Sequence, residues 1–346
     1  MSTPDSPQTT AHATDPARAI EFARTAYAKI QTELGKVIVG QQSVIEEILI
    51  AIFTRSHALL VGVPGLAKTL MISSLAQALQ MSFKRIQFTP DLMPSDITGT
   101  EVIYQDKSTG ERQFKFLKGP LFANIVLADE INRTPPKTQA AMLEAMQERK
   151  VTVGGNTFDL PVPFFVLATQ NPLEQEGTYP LPEAQLDRFM FLINVDYPEV
   201  EEELRIMQQG TSGDVQQIHP VISTEDILFI QETAKLIPVS EHVYRYAQKL
   251  VGCTRTRKPE ATEFCKKYLV FGAGPRASLN LIIAAKAHAL IHGHPYVSCA
   301  NVAAVAKVIL RHRIAVNFTA QSEGITSDDV VDLILKHIPK NEPQKK

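Results

Sequence analysis

The segment Gly62-Val63-Pro64-Gly65-Leu66-Ala67-Lys68-Thr69 constrains this chain more than any other. It follows an apolar run, His57-Ala58-Leu59-Leu60-Val61, and precedes a helix-periodic apolar stretch from Leu70 to Leu79. A buried strand that passes through a glycine-containing turn straight into a helix leaves backbone N–H groups pointing outward at the turn. The positive end of the new helix adds to them. Such a loop cradles phosphate oxygens, with Lys68 reaching the β- and γ-phosphates and the Thr69 hydroxyl available to Mg²⁺. One position departs from the usual pattern: the glycine before the lysine is replaced by Ala67, a residue that asks for ordinary backbone angles. Read alone, the same residues could simply turn a strand into a helix, using Gly62, Pro64 and Gly65.

The rest of the chain decides between these readings. With 346 residues it can bury a large core, and it is expected to divide into two domains. A formal charge of -2 argues against constitutive, sequence-independent binding of nucleic acid. Cys253, Cys265 and Cys299 are widely spaced and form no CxxC pair, which points to a reducing compartment. No signal-like h-region or long uncharged apolar span is evident, so the expected location is the cytoplasm, without a membrane span.

Met1 to about Pro16 has little to bury and reads as a disordered tail, as do Pro339 to Lys346. A first helix is expected from about Ala17 to Leu34, and from Val37–Gln41 to about Tyr197 short apolar strands alternate with helices, the pattern of a parallel sheet covered on both faces. The expected strands are Ala58–Val61, Arg85–Phe88, Ile125–Ala128, Phe164–Ala168 and Phe189–Val195. Two hairpins interrupt the alternation. One pairs Glu101–Tyr104 with Gln113–Leu117 across a turn at 106–110. The other pairs Lys150–Val153 with Thr157–Leu160 across Gly154-Gly155-Asn156. Each is either a plain surface excursion or a pore or partner surface. Beyond Glu199 the pattern is helical to Ile338, with Ser223, Ser240, Ser298 and Ser327 at expected N-caps.

Four further segments carry chemistry. Ile125-Val126-Leu127-Ala128-Asp129-Glu130 ends a buried strand in two acids at the carboxyl edge of the sheet. Asp129 suits a Mg²⁺ ligand and Glu130 a base for an attacking water. Phe164 to Pro172 delivers Asn171 to the same edge, either to bond a γ-phosphate or lytic water, or to form a turn. Arg188, just before the last strand, suits a bidentate clamp on a phosphoryl group, or an ion pair with Asp187 or Glu183. Arg276, in Gly274-Pro275-Arg276-Ala277-Ser278, sits on a first helical turn where the dipole disfavours a cation. Either a ligand anion lies near it or the side chain is solvated.

In this order the segments resemble an AAA+ ATPase, and GVPGLAKT, VLADEINRTPPKTQAAMLEAMQE, LATQNPLEQEGTYPLPEAQLDRFM and GPRAS resemble the MoxR family. The resemblance runs from about Val37 to Ile338, and MoxR-type loops commonly carry alanine at the position of Ala67. It implies an α/β AAA+ core (17–198) with a five-stranded parallel sheet between helices, two inserted hairpins, and an all-helical lid (199–338). It also implies that Gly62 to Thr69, with Leu70 following, form Walker A, and Asp129 with Glu130 form Walker B. Asn171 would be sensor 1, Arg188 the arginine finger and Arg276 sensor 2, the last acting in cis or in trans. Val39, Gly40 and Gln41 would lie against the adenine, and Thr69 with Asp129 would hold Mg²⁺. ATP hydrolysis in a ring, most often a hexamer, follows from the resemblance, with Arg188 acting on the neighbour's nucleotide. So do a chaperone-like remodelling or cofactor-loading role, a protein client and a partner bearing a von Willebrand factor A domain.

Three rival readings stand beside this one, the first a nucleotide-gated scaffold that binds ATP but scarcely turns it over, against which the intact water-activating acid Glu130 argues. The hairpins carry Lys107, Arg112, Lys115, Lys118, Arg149 and Lys150, as an MCM-like motor on nucleic acid would. Glu101, Asp106, Glu111 and Asp159 dilute that charge, and no basic-aromatic interleaving accompanies it. The last rival is a metal-binding protein using His288, His292 and His294: the first two sit one helical turn apart, as ligand pairs do, but no acid or cysteine to complete a site is expected nearby.

Overall fold

The computed structural model describes residues 15–105, 112–174, 177–212 and 216–340. Its contacts divide the chain into two compact units, Glu33–Thr224, and Glu225 onward joined by residues up to Thr32. The strands of the first unit are β1 (Ala58–Val61), β2 (Phe83–Gln87), β3 (Gly99–Gln105), β4 (Arg112–Lys118), β5 (Ile125–Asp129), β6 (Lys150–Val153), β7 (Asn156–Asp159), β8 (Phe165–Gln170) and β9 (Phe191–Asn194). Among the described residues β1, β2, β5, β8 and β9 form one five-stranded parallel sheet in the order β2-β5-β8-β1-β9.

The sequence dictates this arrangement. Ile125–Ala128 and Phe165–Ala168 are buried throughout, as central strands covered on both faces must be. Strand β2 buries only Ile86, which suits an edge position. Leu59, Phe88, Val126, Met142, Leu143 and Phe189 belong to the core beneath the sheet, where each large apolar side chain contributes roughly 1.5–3 kcal/mol. The register sets Val61 level with Gln170 and Asn194, and Gln87 level with Asp129. The carboxyl ends of all five strands therefore open onto one edge.

The opposite edge is fastened by His57, which is buried at the start of β1. Its Nδ1 accepts the Val166 N–H at 3.0 Å and its Nε2–H donates to the Met146 carbonyl at 3.0 Å. Burial pushes this imidazole down to about 4, against the raising effect of the Met146 carbonyl. The ring is thus a neutral strut between β8 and the helix Pro136–Glu148.

Both hairpins form, β3 with β4 and β6 with β7. The first turn expected at 106–110 lies outside the described residues. The second turn is shorter than expected: Gly154 and Gly155 alone turn the chain with φ of 58° and 81°, a pair of left-handed angles that glycine adopts freely, and Asn156 already belongs to β7. Phe116 stacks on Phe158 at 4.2 Å between the hairpins, and Asn156 donates to Glu101.

The second unit is mainly helical, but not wholly so as expected. A short antiparallel pair, β10 (Leu269–Phe271) with β11 (Ala315–Val316), adds a ladder that runs too short for period-2 patterning to reveal. The expected cap Ser327 is the first helical residue instead. Thr326 caps that helix, accepting the Asp329 N–H while Asp329 closes the capping box. Ser298 caps its helix in the same way with Asn301. Cys253, Cys265 and Cys299 are buried, and none of the three is in a disulfide.

Contacts place residues 199–224 with the sheet unit rather than beyond a boundary at 198. The His219 N–H donates to Glu33, and the Val221 N–H to the Ala78 carbonyl. The helix Pro16–Leu34, up to Thr32, groups with the helical unit, where Phe22 meets Phe229 edge-on at 5.7 Å. Among the described residues no helix is long and apolar enough to cross a membrane.

Candidate functional site

At the carboxyl edge of the sheet lies a cleft of about 400 Å³, walled by Pro64 to Leu70 on one side and by Arg85, Asp129, Glu130, Thr169 and Asn171 on the other. Its floor follows from strand register, because β1, β5 and β8 all end there. Gly62 opens the loop where a Cβ would come within 2.7 Å of the Val195 carbonyl, so no side chain fits. The Lys68 ammonium folds back to donate to the Gly62 carbonyl. Burial holds its pKa below the ordinary lysine value, opposed by Asp129 and Glu130.

Ala67 corrects one expectation. It takes φ 52° and ψ 25°, the left-handed conformation in which glycine is at ease, rather than ordinary angles. The helix Lys68–Ala78 starts immediately after it, so closing the loop over the cleft imposes a strain of about 1 kcal/mol. Glu130 is also left-handed, at φ 57°. Strained non-glycine residues of this sort concentrate where side-chain aim matters more than backbone comfort.

The two acids are held by partners that the motif reading did not include. Thr169, 1% exposed on β8, donates its hydroxyl to Asp129 Oδ1 at 2.6 Å and accepts the Glu130 N–H at 2.9 Å. Arg85 donates from Nε and Nη2 to Asp129 Oδ2 at 3.0 and 2.7 Å, and Nη2 also reaches Gln87 Oε1 at 2.7 Å. Gln87 in turn donates to Glu130 Oε2 at 2.7 Å, and Arg133 donates to that oxygen at 3.0 Å. The sequence did carry signals for these residues. A lone hydroxyl in an otherwise apolar central strand needs a partner, and Arg85 and Gln87 are two apart on one face of the neighbouring strand.

Asn171 reconciles its two readings. Its Oδ1 accepts the Leu173 N–H at 3.1 Å, a turn-forming bond, while the residue lines the cleft with its amide nitrogen uncommitted among the described residues. Arg188 is not brought to this cleft. It precedes the amino end of β9, where the Met190 N–H bonds the His57 carbonyl, whereas the phosphate loop leaves the carboxyl end of β1. Four strand residues, roughly 13 Å, separate those two ends. No hydrogen bond or ion pair of the Arg188 guanidinium occurs among the described residues, so the expected alternative of a pair with Asp187 or Glu183 is not formed.

Val39, Gly40 and Gln41 do not line the cleft either. Gly40 and Gln41 are left-handed at φ 71° and 59°, and the Glu202 carboxylate lies against Gly40. Arg276 belongs to the helical unit, in the first turn of Pro275–Ile291. The loop before it is braced by Thr254, which accepts the Ala273 N–H at 3.0 Å, and by Arg255, which donates to the Ala273 carbonyl at 3.2 Å. In the same unit His288 and His294 both spend Nδ1 on the Asn301 amide, at 3.0 and 3.1 Å. Burial first, and then His292 and His294, push His288 down to about 4.

Comparison with known proteins agrees with this geometry. The model of the ATPase family associated with various cellular activities (AAA) matches residues 57–191, and that of the AAA lid domain matches 262–334. Chaperone MoxR1 of Mycobacterium tuberculosis is 44% identical over 307 residues, covering 88% of this chain and 80% of that protein. The uncharacterised protein YeaC of Bacillus subtilis is 42% identical over 311 residues, 90% of this chain and 93% of its own. A crystal structure of a candidate ATPase from Cytophaga hutchinsonii superimposes with a TM-score of 0.86 at 43% identity, covering 94% of this chain and 97% of that one. Fold and cleft together define an AAA+ ATPase with a C-terminal lid. Within that class, the chain belongs to the MoxR family.

Proposed function

We propose that this protein hydrolyses Mg-ATP in a cytoplasmic head-to-tail ring, most simply a hexamer, and uses the turnover to remodel a client protein or load its cofactor. The observation that carries the reading is the convergence of Lys68, Thr69, Asp129, Glu130 and Asn171 on one cleft. The loop N–H groups and Lys68 bind the β- and γ-phosphoryl oxygens, and Val39 to Gln41 lie near the adenine. One carboxylate and one hydroxyl, Asp129 and Thr69, make the sparse hard-oxygen set that suits Mg²⁺ completed by phosphates and water. A cation held by these residues would supply charge neutralisation for the phosphoryl group.

Glu130 accepts the proton of the attacking water, with its carboxylate aimed by Gln87 and Arg133. The Asn171 amide nitrogen donates to the γ-phosphate or to that water. Arg188 stabilises the transferring phosphoryl group of the neighbouring subunit, and its place at the far end of the sheet is the reason for assigning it to a neighbour. A heterologous ring contact supplies such an arginine to each site in turn. Arg276 takes the sensor 2 role that the family resemblance gives it, in cis or in trans.

The client role rests on the name of the relative Chaperone MoxR1 and on the family resemblance, which also brings in a partner with a von Willebrand factor A domain. The test is Glu130→Gln. This variant should bind ATP with near wild-type affinity while turnover falls by about 10²-fold or more. Its stalled rings should retain client in a pull-down. Wild-type turnover no faster than that of Glu130→Gln would defeat the reading.

A further inference from the structure

Asp129 has two oxygens, and the structure assigns them unequal work. Oδ1 takes the Thr169 hydroxyl, a neutral donor that also fixes the Glu130 backbone through its N–H. Oδ2 takes two N–H groups of a single guanidinium, that of Arg85. Arg85 stands on the edge strand β2, faces the phosphate cleft, and reaches Asp129 from one strand away with its side chain still 47% exposed. Its grip is shared with Gln87, whose Oε1 accepts from the same Nη2.

We infer that Arg85 competes with the divalent cation for Asp129, and so sets how much Mg²⁺ adds to nucleotide affinity. The inference rests on the Mg-ATP reading above and extends it to a residue outside the phosphate-loop, acid-pair and arginine motifs. The competition is electrostatic. A hard cation bound through the Asp129 carboxylate needs lone-pair density that two charge-assisted hydrogen bonds already draw upon. A guanidinium and a divalent cation on one carboxylate also repel each other across a few ångströms. Cation entry therefore displaces Arg85 from Oδ2, and the cost of that displacement is subtracted from the cation's contribution. Lysine could not replace it faithfully, because one ammonium cannot give the two-pronged contact to Oδ2 and reach Gln87 with the same geometry. Arg85 is accordingly a positioning residue, acting on nucleotide through Asp129.

The test is an equilibrium titration of the full-length protein with a fluorescent ADP analogue, once in EDTA and once in excess Mg²⁺. The readout is the ratio of the two dissociation constants. Arg85→Gln should raise that ratio about three- to tenfold over wild type, and Arg85→Lys should give an intermediate value. Circular dichroism melts check that each variant is folded. If Arg85→Gln is unstable, the Arg85→Lys ratio decides alone, and a value equal to wild type overturns the proposal. A ratio unchanged in Arg85→Gln also overturns it, as does weaker binding in EDTA and Mg²⁺ alike, which would make Arg85 a direct phosphate ligand. Absence of any nucleotide binding by the wild type would instead sink the Mg-ATP reading itself.

Discussion

The two edges of the central sheet are built on opposite plans. At the carboxyl edge, polar groups crowd a cleft and nearly all of them are tied to one another: Arg85 to Asp129, Thr169 to both acids, Gln87 and Arg133 to Glu130. At the amino edge, the buried His57 fastens strand to helix with two bonds, and Arg188 stands nearby with its guanidinium uncommitted among the described residues. The lesson is one of division. A carboxylate that must ligate a cation or take a proton needs its aim fixed within its own subunit. Arg188, proposed to act on a neighbour, stands instead at the amino end of β9, two residues before the bond from Met190 to the His57 carbonyl.

If this contrast is right, variants at the two edges should fail differently. The largest effect is expected from Arg188→Ala. Turnover should fall about 10³-fold, while the dissociation constant for ATP stays within about threefold of wild type. Lys68→Ala at the carboxyl edge should do the reverse, weakening ATP binding by about two orders of magnitude in a direct titration. Similar losses of affinity in both variants would erase the distinction between the edges.

His57 tests the amino edge itself. Truncation to Ala leaves the Met146 carbonyl and Val166 N–H unpaired in the core, and should cost about 2–4 kcal/mol in urea unfolding. The imidazole is depressed from 6.5 to about 4 on folding, so the unfolded chain binds the extra proton first. Stability present above pH 6.5 is therefore lost as pH falls toward 4, by about 1.4 kcal/mol per pH unit for this group. His288, depressed to about 4 as well, contributes in the same window, so His57→Gln should make the pH slope shallower without abolishing it. A slope identical to wild type would contradict the buried neutral strut.

Thr169→Val removes the hydroxyl that joins the two acids. It should lower turnover about tenfold and stability by about 1–2 kcal/mol, with ATP affinity nearly preserved. The smallest effect is expected at Ala67→Gly. Relief of the left-handed strain is offset by the greater freedom of glycine in the unfolded chain, leaving a net change within about 1 kcal/mol by thermal melt.

How far the sequence disclosed all this depended on the kind of signal. The central strands were legible because Ile125–Ala128 and Phe165–Ala168 are continuous apolar runs. The residues of the phosphate loop and the acid pair could be named because their spacing is local. The partners of the acids left only unmatched signals, since Arg85 and Gln87 reach them through a strand pairing that spans about 40 positions of chain. Ala67 misled for a related reason: its side chain prefers ordinary angles, and the requirement to close the loop overrides that preference. The separation of Arg188 from the cleft likewise became visible only once β9 was paired parallel to β1.

The proposal at the centre of this account is that each site is shared, with Glu130 supplied by one subunit and Arg188 by the next. Mixing the two inactive variants Arg188→Ala and Glu130→Gln in equal amounts, under conditions that allow subunit exchange, tests it most directly. About a quarter of the interfaces then pair an intact Glu130 with an intact Arg188, and ATPase activity should reappear well above either variant alone. Mixed rings, verified by co-purification through different tags, that stay as inactive as their parents would contradict the shared site.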